Sequence, residues 1–403
     1  MATQQTHRPG RLAIVGAGVI GLSCAWRAAE AGWRVEVIDP APGSGSSWVA
    51  GGMLAPVTEA WPGEEELLEL GAESLARWPV FATALREAAG RSAGLREEGT
   101  VVVAAAAGDR AELDDLAEYL GGLGRDVDRL TARELRRLEP AIGPDVRGGL
   151  SVPGDLAVDN RTLLAALRAA AERAGVKFVE AHVARVISGG VELAADVPER
   201  LNQRAEVTES ALVAGADVVL VAAGAYSGGF HPALGGAVRP VKGEILRLRH
   251  RAGALAPPGR TVRAVVDGRP VYAVPRDGGG LVIGATQYEA GFDTEPAVNG
   301  VRDLLRDAER VLPGIAEYAL VEVTAGLRPA TPDNLPLIGE LEPGVLVATG
   351  HGRNGMLLAP LTADAVLAQL SGEPVPAPVK AADPARLGGK GGKEVTDAGL
   401  DQR

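Results

Sequence analysis

The residues Gly16-Ala17-Gly18-Val19-Ile20-Gly21 carry three glycines at the spacing that lets a backbone receive a dinucleotide. Gly16 permits the tight turn, Gly18 lets a pyrophosphate approach, and Gly21 lets the following helix sit against the preceding strand. The free N–H groups and positive dipole end of that helix would face the phosphates. Asp39 follows Gly21 by 18 residues, at a strand end, where its carboxylate can accept from ribose hydroxyls. The pattern by itself does not separate FAD from NAD. In the loop beyond it, Ser46 and Ser47 could bond phosphate, and Gly51, Gly52 and Met53 could let backbone pass beside a flat ring.

Two further clusters lie near the C-terminus. Arg328 stands between an apolar run and Pro329, hence at a strand end, where open α/β sheets hold ligands. Guanidinium suits a carboxylate because it offers two parallel N–H bonds. Tyr272, in Arg269-Pro-Val-Tyr-Ala-Val-Pro-Arg276, could be a second donor to that carboxylate. The run Gly350-His351-Gly352-Arg353-Asn354-Gly355-Met356 reads as a second N–H-rich helix start, able to stabilise negative charge on a flavin ring. Bland readings exist for each: a surface ion pair for Arg328, a half-buried sheet tyrosine for Tyr272, plain capping for the 350–356 run.

The elements that must position these groups follow from pattern. An apolar strand at 11–15, a glycine turn, a helix closed by Gly32 and a strand at 34–39 make a βαβ unit. Helices are expected at 64–89, 111–120, 131–138, 159–173, 298–311 and 355–370, and strands at 99–107, 177–186, 217–223, 320–327 and 344–349. Strands at 238–248, 262–274 and 281–286, with Arg276 to Gly280 as a hairpin turn, read as an antiparallel block. The order predicts an α/β chain: a Rossmann-like nucleotide domain from 11–90, 150–238 and 325–375, with an inserted antiparallel-sheet substrate domain from 91–149 and 239–324. The Pro-, Ala-, Gly- and Lys-rich tail 376–403 is expected to be disordered.

Composition excludes several classes. The chain has 403 residues and a net charge of −11, which repels phosphate backbones and argues against nucleic acid. A single cysteine, Cys24, and five scattered histidines argue against disulfides and metal sites, and fit a reducing cytoplasm. The apolar stretches 12–25 and 211–230 mimic a signal peptide and a membrane span, but glycines break both, so they read as buried strands and not as membrane insertion.

With GAGVIG, SSWVAGGMLAP, PVKGEIL, VYAVPRDGGGLVIGAT, AGLRPATPDNLPLIG and GHGRNGMLLAP in this order, the chain from about 11 to 372 resembles the D-amino-acid oxidase family of flavoproteins, with the fold shared by D-amino-acid oxidase and glutathione reductase. Within that family it is most similar to the glycine oxidase branch associated with thiazole and thiamine synthesis. The resemblance implies non-covalent FAD held by Val19, Ile20, Asp39, Ser46, Ser47, Gly51, Gly52 and Met53, with Val183 meeting the adenine through its backbone. It implies that His351, Gly352, Arg353, Asn354, Gly355, Met356 and Leu357 face the flavin. Arg328 and Tyr272 would hold the substrate carboxylate, with Arg353 beside them. Gly352 stands where relatives usually have an aromatic residue, which widens the pocket, and Asp39 replaces the commoner Glu. Segment 188–215 does not match well and reads as a surface hairpin.

The implied reaction is oxidation of a small amino acid or amine. A neutral amine loses a hydride from Cα to the flavin, dioxygen takes the electrons as peroxide, and the imine is hydrolysed or captured for the thiazole. It asks little acid–base chemistry of the protein, since the cofactor carries the hard step. The alternatives are a sarcosine or D-amino-acid oxidase of the same fold, a dehydrogenase serving another acceptor, and a non-catalytic flavin-binding protein. No cysteine lies near the C-terminal motifs and no histidine between His7 and His182, which counts against covalent flavin. Relatives of this kind are often homo-oligomers, but no interface can be read from the sequence.

Overall fold

The computed structural model describes residues 9–125, 127–187, 189–194 and 212–387. Strand Arg11–Val15 lies at the centre of a six-stranded sheet, parallel to Arg34–Ile38 on one side and Val218–Val221 on the other. Lys177–Val179 and Val345–Thr349 extend it in parallel, and Leu337–Glu342 closes one edge antiparallel. The central strand reads as a continuous apolar run because helices cover the sheet. Helices Val19–Glu30, Glu65–Ala89, Asn160–Arg173 and Gly355–Ser371 pack together on it, with Trp26, Trp78, Leu70, Leu85 and Leu358 in the dry core. Trp26 and Trp78 each meet Phe81 edge-on at 5.4 Å between ring centres.

An eight-stranded sheet forms the second layer. Its order across the sheet runs from Ala319–Ala330 through Arg239–Arg249, Gly280–Gly284, Arg269–Arg276, Thr261–Val266, Thr100–Ala104 and Gly148–Val152 to Asp128–Thr131. Every neighbouring pair is antiparallel except Thr261–Val266 with Thr100–Ala104. Direct pairing sets Ile245, Gly284, Tyr272, Arg263 and Val102 in one row across five strands. Arg263 and Tyr272 therefore share a face.

Four expectations are corrected. The single strand expected over 262–274 is two strands, divided at Asp267-Gly268, where φ of 51° and 76° makes a two-residue hairpin turn of the Asp-Gly kind. The run 177–186 breaks at residues 180–182, so Lys177–Val179 serves the parallel sheet while Val183–Ile187 pairs antiparallel with Gly190–Leu193. The edge strand Leu337–Glu342 had no counterpart in the sequence reading. Disorder was expected from 376, but Ala377–Ala382 and Pro384–Leu387 form 3-10 turns, with Val379 and Ala382 buried against the helical core. A few apolar side chains in a Pro- and Ala-rich stretch suffice to dock it. Residues 388–403 lie outside the described residues. So do 188 and 195–211 of the expected hairpin, whose remaining strands Gly190–Leu193 and Leu212–Ala214 pair antiparallel. No described helix is long and apolar enough to cross a membrane.

Candidate active site

Two of the three glycines of the first turn are set by contact. Gly16 has a φ of 107°, and a Cβ there would lie 2.5 Å from the Ala222 carbonyl oxygen. A Cβ on Gly21 would lie 1.9 Å from the Gly16 carbonyl oxygen, which is the close helix–strand contact expected of it. Helix Val19–Glu30 begins beyond Gly18 with no acidic residue in its first turn, so its positive end is left for an external anion. Ser47 Oγ accepts from the Val19 N–H at 3.0 Å, which leaves its hydroxyl proton for a ligand. Asp39 accepts from Ala17 N–H at 2.7 Å and Ala41 N–H at 2.8 Å, one bond per carboxylate oxygen, so each oxygen keeps acceptor capacity. Ser46 differs from expectation: its hydroxyl donates to the Leu327 carbonyl and ties this loop to the strand that carries Arg328.

The loop from Ser46 to Gly52 is held from behind. Asn160, wholly buried, donates through Nδ2 to the carbonyls of Ser47 and Trp48, both at 2.8 Å. Its Oδ1 accepts from Arg247 at 3.2 Å and Arg276 at 3.4 Å. Arg276 in turn donates to the Gly51 carbonyl at 2.6 Å. Both side-chain amide donors and the amide oxygen of Asn160 are in use, and the loop carbonyls are drawn toward it. Burial pulls the Arg276 guanidinium down to about 10, against the nearby Asp159 carboxylate, whose Oδ2 lies 3.5 Å from Nε.

A cleft of about 2750 Å³ runs between the two sheets. Drug-sized ligands occupy pockets of roughly 300–1,000 Å³, so this one has room for a dinucleotide and a small substrate together. It is lined by Gly16, Gly18, Val19, Ile20, Asp39, Ser46, Ser47, Gly51, Gly52, Met53 and Val183. Tyr272, Arg328, His351, Gly352, Arg353, Gly355 and Met356 line it as well. Asn354 and Leu357, expected to face the same space, do not line it. They face a small recess against the helix Glu65–Ala89, because the Leu357 carbonyl accepts from Ser74 Oγ and Trp78 Nε1 on that helix. Gly21 is likewise behind the cleft wall, as its contact with Gly16 requires.

Arg328 lies over Gly243, where a Cβ would be 2.3 Å from its Nη1. Its only bonds among the described residues are from Nη1 to the carbonyls of Thr286 at 3.1 Å and Lys242 at 3.4 Å. No carboxylate of the described residues pairs with it, although burial lowers its pKa. A buried cation without a partner is costly, and a cleft-facing one is a site for an anion. The Tyr272 ring stands between Gly51 and Gly284, where a Cβ would come within 2.6 Å and 2.4 Å of it. Burial pushes the Tyr272 phenol up to about 12, against the pull of the Arg328 charge, so it stays a hydrogen-bond donor at neutral pH.

Arg353 lines the cleft with its guanidinium engaged: Nη2 donates to the Glu59 carbonyl at 3.0 Å and pairs with Glu64 at 3.1 Å. Glu59 also pairs with Arg263 at 3.3 Å. Arg353 and Arg263 thus pair with Glu64 and Glu59, while Arg328 has no anionic partner among the described residues, which suits a ligand carboxylate. Sequence reasoning missed Arg263, Glu59, Glu64 and Asn160. Arg263 did leave a signal, a lone charge in the apolar strand Thr261–Val266.

The sequence model of the DAO family, FAD dependent oxidoreductase, matches residues 11–370. The chain belongs to this family. It is 34% identical over 369 residues to the glycine oxidase of Geobacillus kaustophilus, covering 89% of this chain and 91% of that one. It is 32% identical to a putative thiamine biosynthesis oxidoreductase ThiO of Rhizobium etli, covering 89% of this chain and 96% of the other. The crystal structure of glycine oxidase from Geobacillus kaustophilus superposes with a TM-score of 0.81 at 32% identity, over 93% of this chain and 98% of that one.

As a member of this family the protein is an FAD-dependent oxidoreductase with the α/β fold expected of it. Its residues fit the cofactor. The positive helix end beyond Gly18, with no acidic residue in its first turn, suits a pyrophosphate. Gly52, with φ of 77° and a Cβ position 2.0 Å from the Val158 carbonyl oxygen, leaves a surface of bare backbone beside the cleft. His351 is buried, bonded through Nε2 to Thr362 Oγ1 at 3.0 Å, and its pKa is held down at about 3 by burial, so it enters the site neutral.

Proposed function

We propose that the protein oxidises glycine and other small amino acids or amines, using non-covalent FAD and dioxygen. The observation that carries this reading is the buried, unpaired Arg328 guanidinium beside the Tyr272 hydroxyl in the cleft that holds the cofactor fingerprint. The likeness to glycine oxidases supports it.

In this reading Arg328 takes the substrate carboxylate with two parallel N–H bonds and Tyr272 adds a third donor. A carboxylate fixed at two points leaves Cα one orientation, which converts a bimolecular encounter into a positioned one. FAD, when bound, supplies a hydride acceptor and a route for two electrons to dioxygen, which leaves as peroxide. The product imine is hydrolysed to an oxo acid and ammonia, or captured for the thiazole. Ser47, Asp39 and the first turn of helix Val19–Glu30 hold the dinucleotide, and Val183 meets the adenine through its backbone. Arg353, held by Glu64 and Glu59, closes the far side of the substrate space. The single cysteine is buried in the first helix, with its thiol pushed up to about 12, and offers no attachment point for flavin. That unpaired thiol fits a cytoplasmic setting.

One observation favours substrates larger than glycine as well. A Cβ at Gly352 would have nothing within 4 Å, so the space beside Arg353 is open. Sarcosine and D-alanine fit such a space. The test is peroxide release from purified protein with glycine, sarcosine and D-alanine, alongside Arg328→Ala. The proposal expects peroxide from at least one of them and its loss in the variant while the flavin spectrum is kept. Equal turnover in Arg328→Ala sinks it.

A further inference from the structure

Asp155 is completely buried, in the turn between strands Gly148–Val152 and Leu156–Val158. Thr58 Oγ1 donates to its Oδ2 at 2.8 Å. The other oxygen, Oδ1, is buried, and the hydroxyl of Thr100 lies nearby. Thr58 lines the cleft. Arg263, opposite Tyr272 on the neighbouring strand, donates to Thr58 Oγ1 at 3.4 Å and pairs with Glu59. A hydroxyl has one proton and two lone pairs. Thr58 gives its proton to Asp155 and one lone pair to Arg263, which leaves one lone pair for a group in the cleft. One hydroxyl thus links the substrate space to a carboxylate that water does not reach.

We propose that Asp155 receives, through Thr58, the proton that a substrate ammonium must lose before Cα can release hydride. This rests on the oxidase reading above. The step balances: an N–H bond of the ammonium breaks and its electron pair stays on nitrogen. That proton joins Thr58 Oγ1 as the hydroxyl's own proton passes to Asp155 Oδ2. The carboxylate becomes a carboxylic acid, and the amine becomes the neutral form that can be oxidised. The charged and titratable groups around Asp155 are Arg263, which favours its anion, and Glu59, which opposes it, with the hydroxyls of Thr58 and Thr100. Burial outweighs these and pushes Asp155 up to about 7. A base works best when its pKa lies near the working pH, and such proton transfer contributes roughly 10²–10⁴-fold.

The test is the rate of flavin reduction by glycine without oxygen, measured across pH in the holoenzyme, Asp155→Asn, Thr58→Val and Thr58→Ser. Near neutral pH, Asp155→Asn and Thr58→Val should be slower by about 10²-fold. The deficit should shrink as pH approaches the pKa of the free substrate amine, because solvent then supplies neutral amine. Thr58→Ser should restore the wild-type profile. Carboxyl carbon resonances of aspartate-labelled holoenzyme should show one group titrating near neutrality, absent in Asp155→Asn. A deficit equal at every pH, a Thr58→Ser as slow as Thr58→Val, or no such titration overturns the proposal. If Asp155→Asn does not fold, the two Thr58 variants carry the test. A wild type that is reduced but shows parallel profiles defeats only this inference. A wild type that no amine reduces defeats the oxidase reading, and this inference with it.

Discussion

Tyr272 stands so close over Gly51 that a methyl group on that glycine would lie 2.6 Å from the phenol oxygen. The loop 46–52 and the strand Arg269–Arg276 are therefore in direct contact. Gly51→Ala should push the ring aside. Overpacking of this kind costs about 1–3 kcal/mol. The expected outcome is a raised KM for amino acids with FAD still bound, measured by steady-state kinetics beside the visible spectrum. An unchanged KM would show that the Tyr272 hydroxyl does not touch substrate.

Arg328 has no anionic partner among the described residues. Arg328→Met should therefore leave thermal stability unchanged or raised, since it removes an unpaired buried charge. The same change should weaken a small carboxylate competitor such as glycolate. Loss of one partner from such a pair costs about 3–5 kcal/mol, or ~10²–10³-fold or more in affinity. Titration of the flavin spectrum reads the affinity and calorimetry reads the stability. A loss of stability with affinity kept would assign Arg328 a structural role.

Asn160 is the hub behind the loop 46–52. Asn160→Leu keeps the volume and leaves the carbonyls of Ser47 and Trp48 without their donor. Each unsatisfied buried group costs about 1–3 kcal/mol. FAD should bind the apoprotein at least ~10-fold more weakly, as read by recovery of flavin fluorescence. Arg276→Met should do the same through the Gly51 carbonyl. Unchanged FAD affinity in both would mean that the loop does not need this support.

His351 is buried neutral, its pKa held down at about 3 from an ordinary value of 6.5. The unfolded chain then binds a proton that the folded chain does not, across that window. Stability should fall as pH drops from about 6.5 toward 3, by up to about 1.4 kcal/mol per pH unit. Asp155 acts in the opposite sense. Its carboxyl is raised from 3.8 to about 7, so the folded chain holds the extra proton and stability falls as pH rises through that range. His351→Gln should flatten the acid limb, and Asp155→Asn should flatten the limb between 4 and 7. Melting temperatures across pH check both, and parallel curves for wild type and variant would contradict them.

The parts of the site written in backbone terms could be read directly. Gly16 and Gly21 are glycines because of contacts within a strand–turn–helix unit, and such contacts follow from local spacing. Arg328 was expected at a strand end, but its strand runs on through Pro329 to Ala330 and Arg328 pairs with Val241 inside it, so its place in the cleft comes from the sheet and not from a strand end. The supporting residues were not legible. Asn160 read as a possible helix cap, but Asp159 caps the helix through Arg161 and Thr162 N–H, which frees Asn160 for the loop 112 and 113 residues away. Thr58 and Asp155 are 97 residues apart and meet because the short strands Met53–Leu54 and Leu156–Val158 pair antiparallel, with Leu54 opposite Leu156. The Asp267-Gly268 turn carries its own signature, which the long apolar run around it masks.

The most direct test of the account is the absorption spectrum of the purified protein before and after glycine is added without oxygen. The account predicts an oxidised flavin band that bleaches with glycine, or with sarcosine or D-alanine where glycine is poor, and returns when air is admitted. A flavin band that none of these amines bleaches, in protein whose FAD is fully bound, would contradict it.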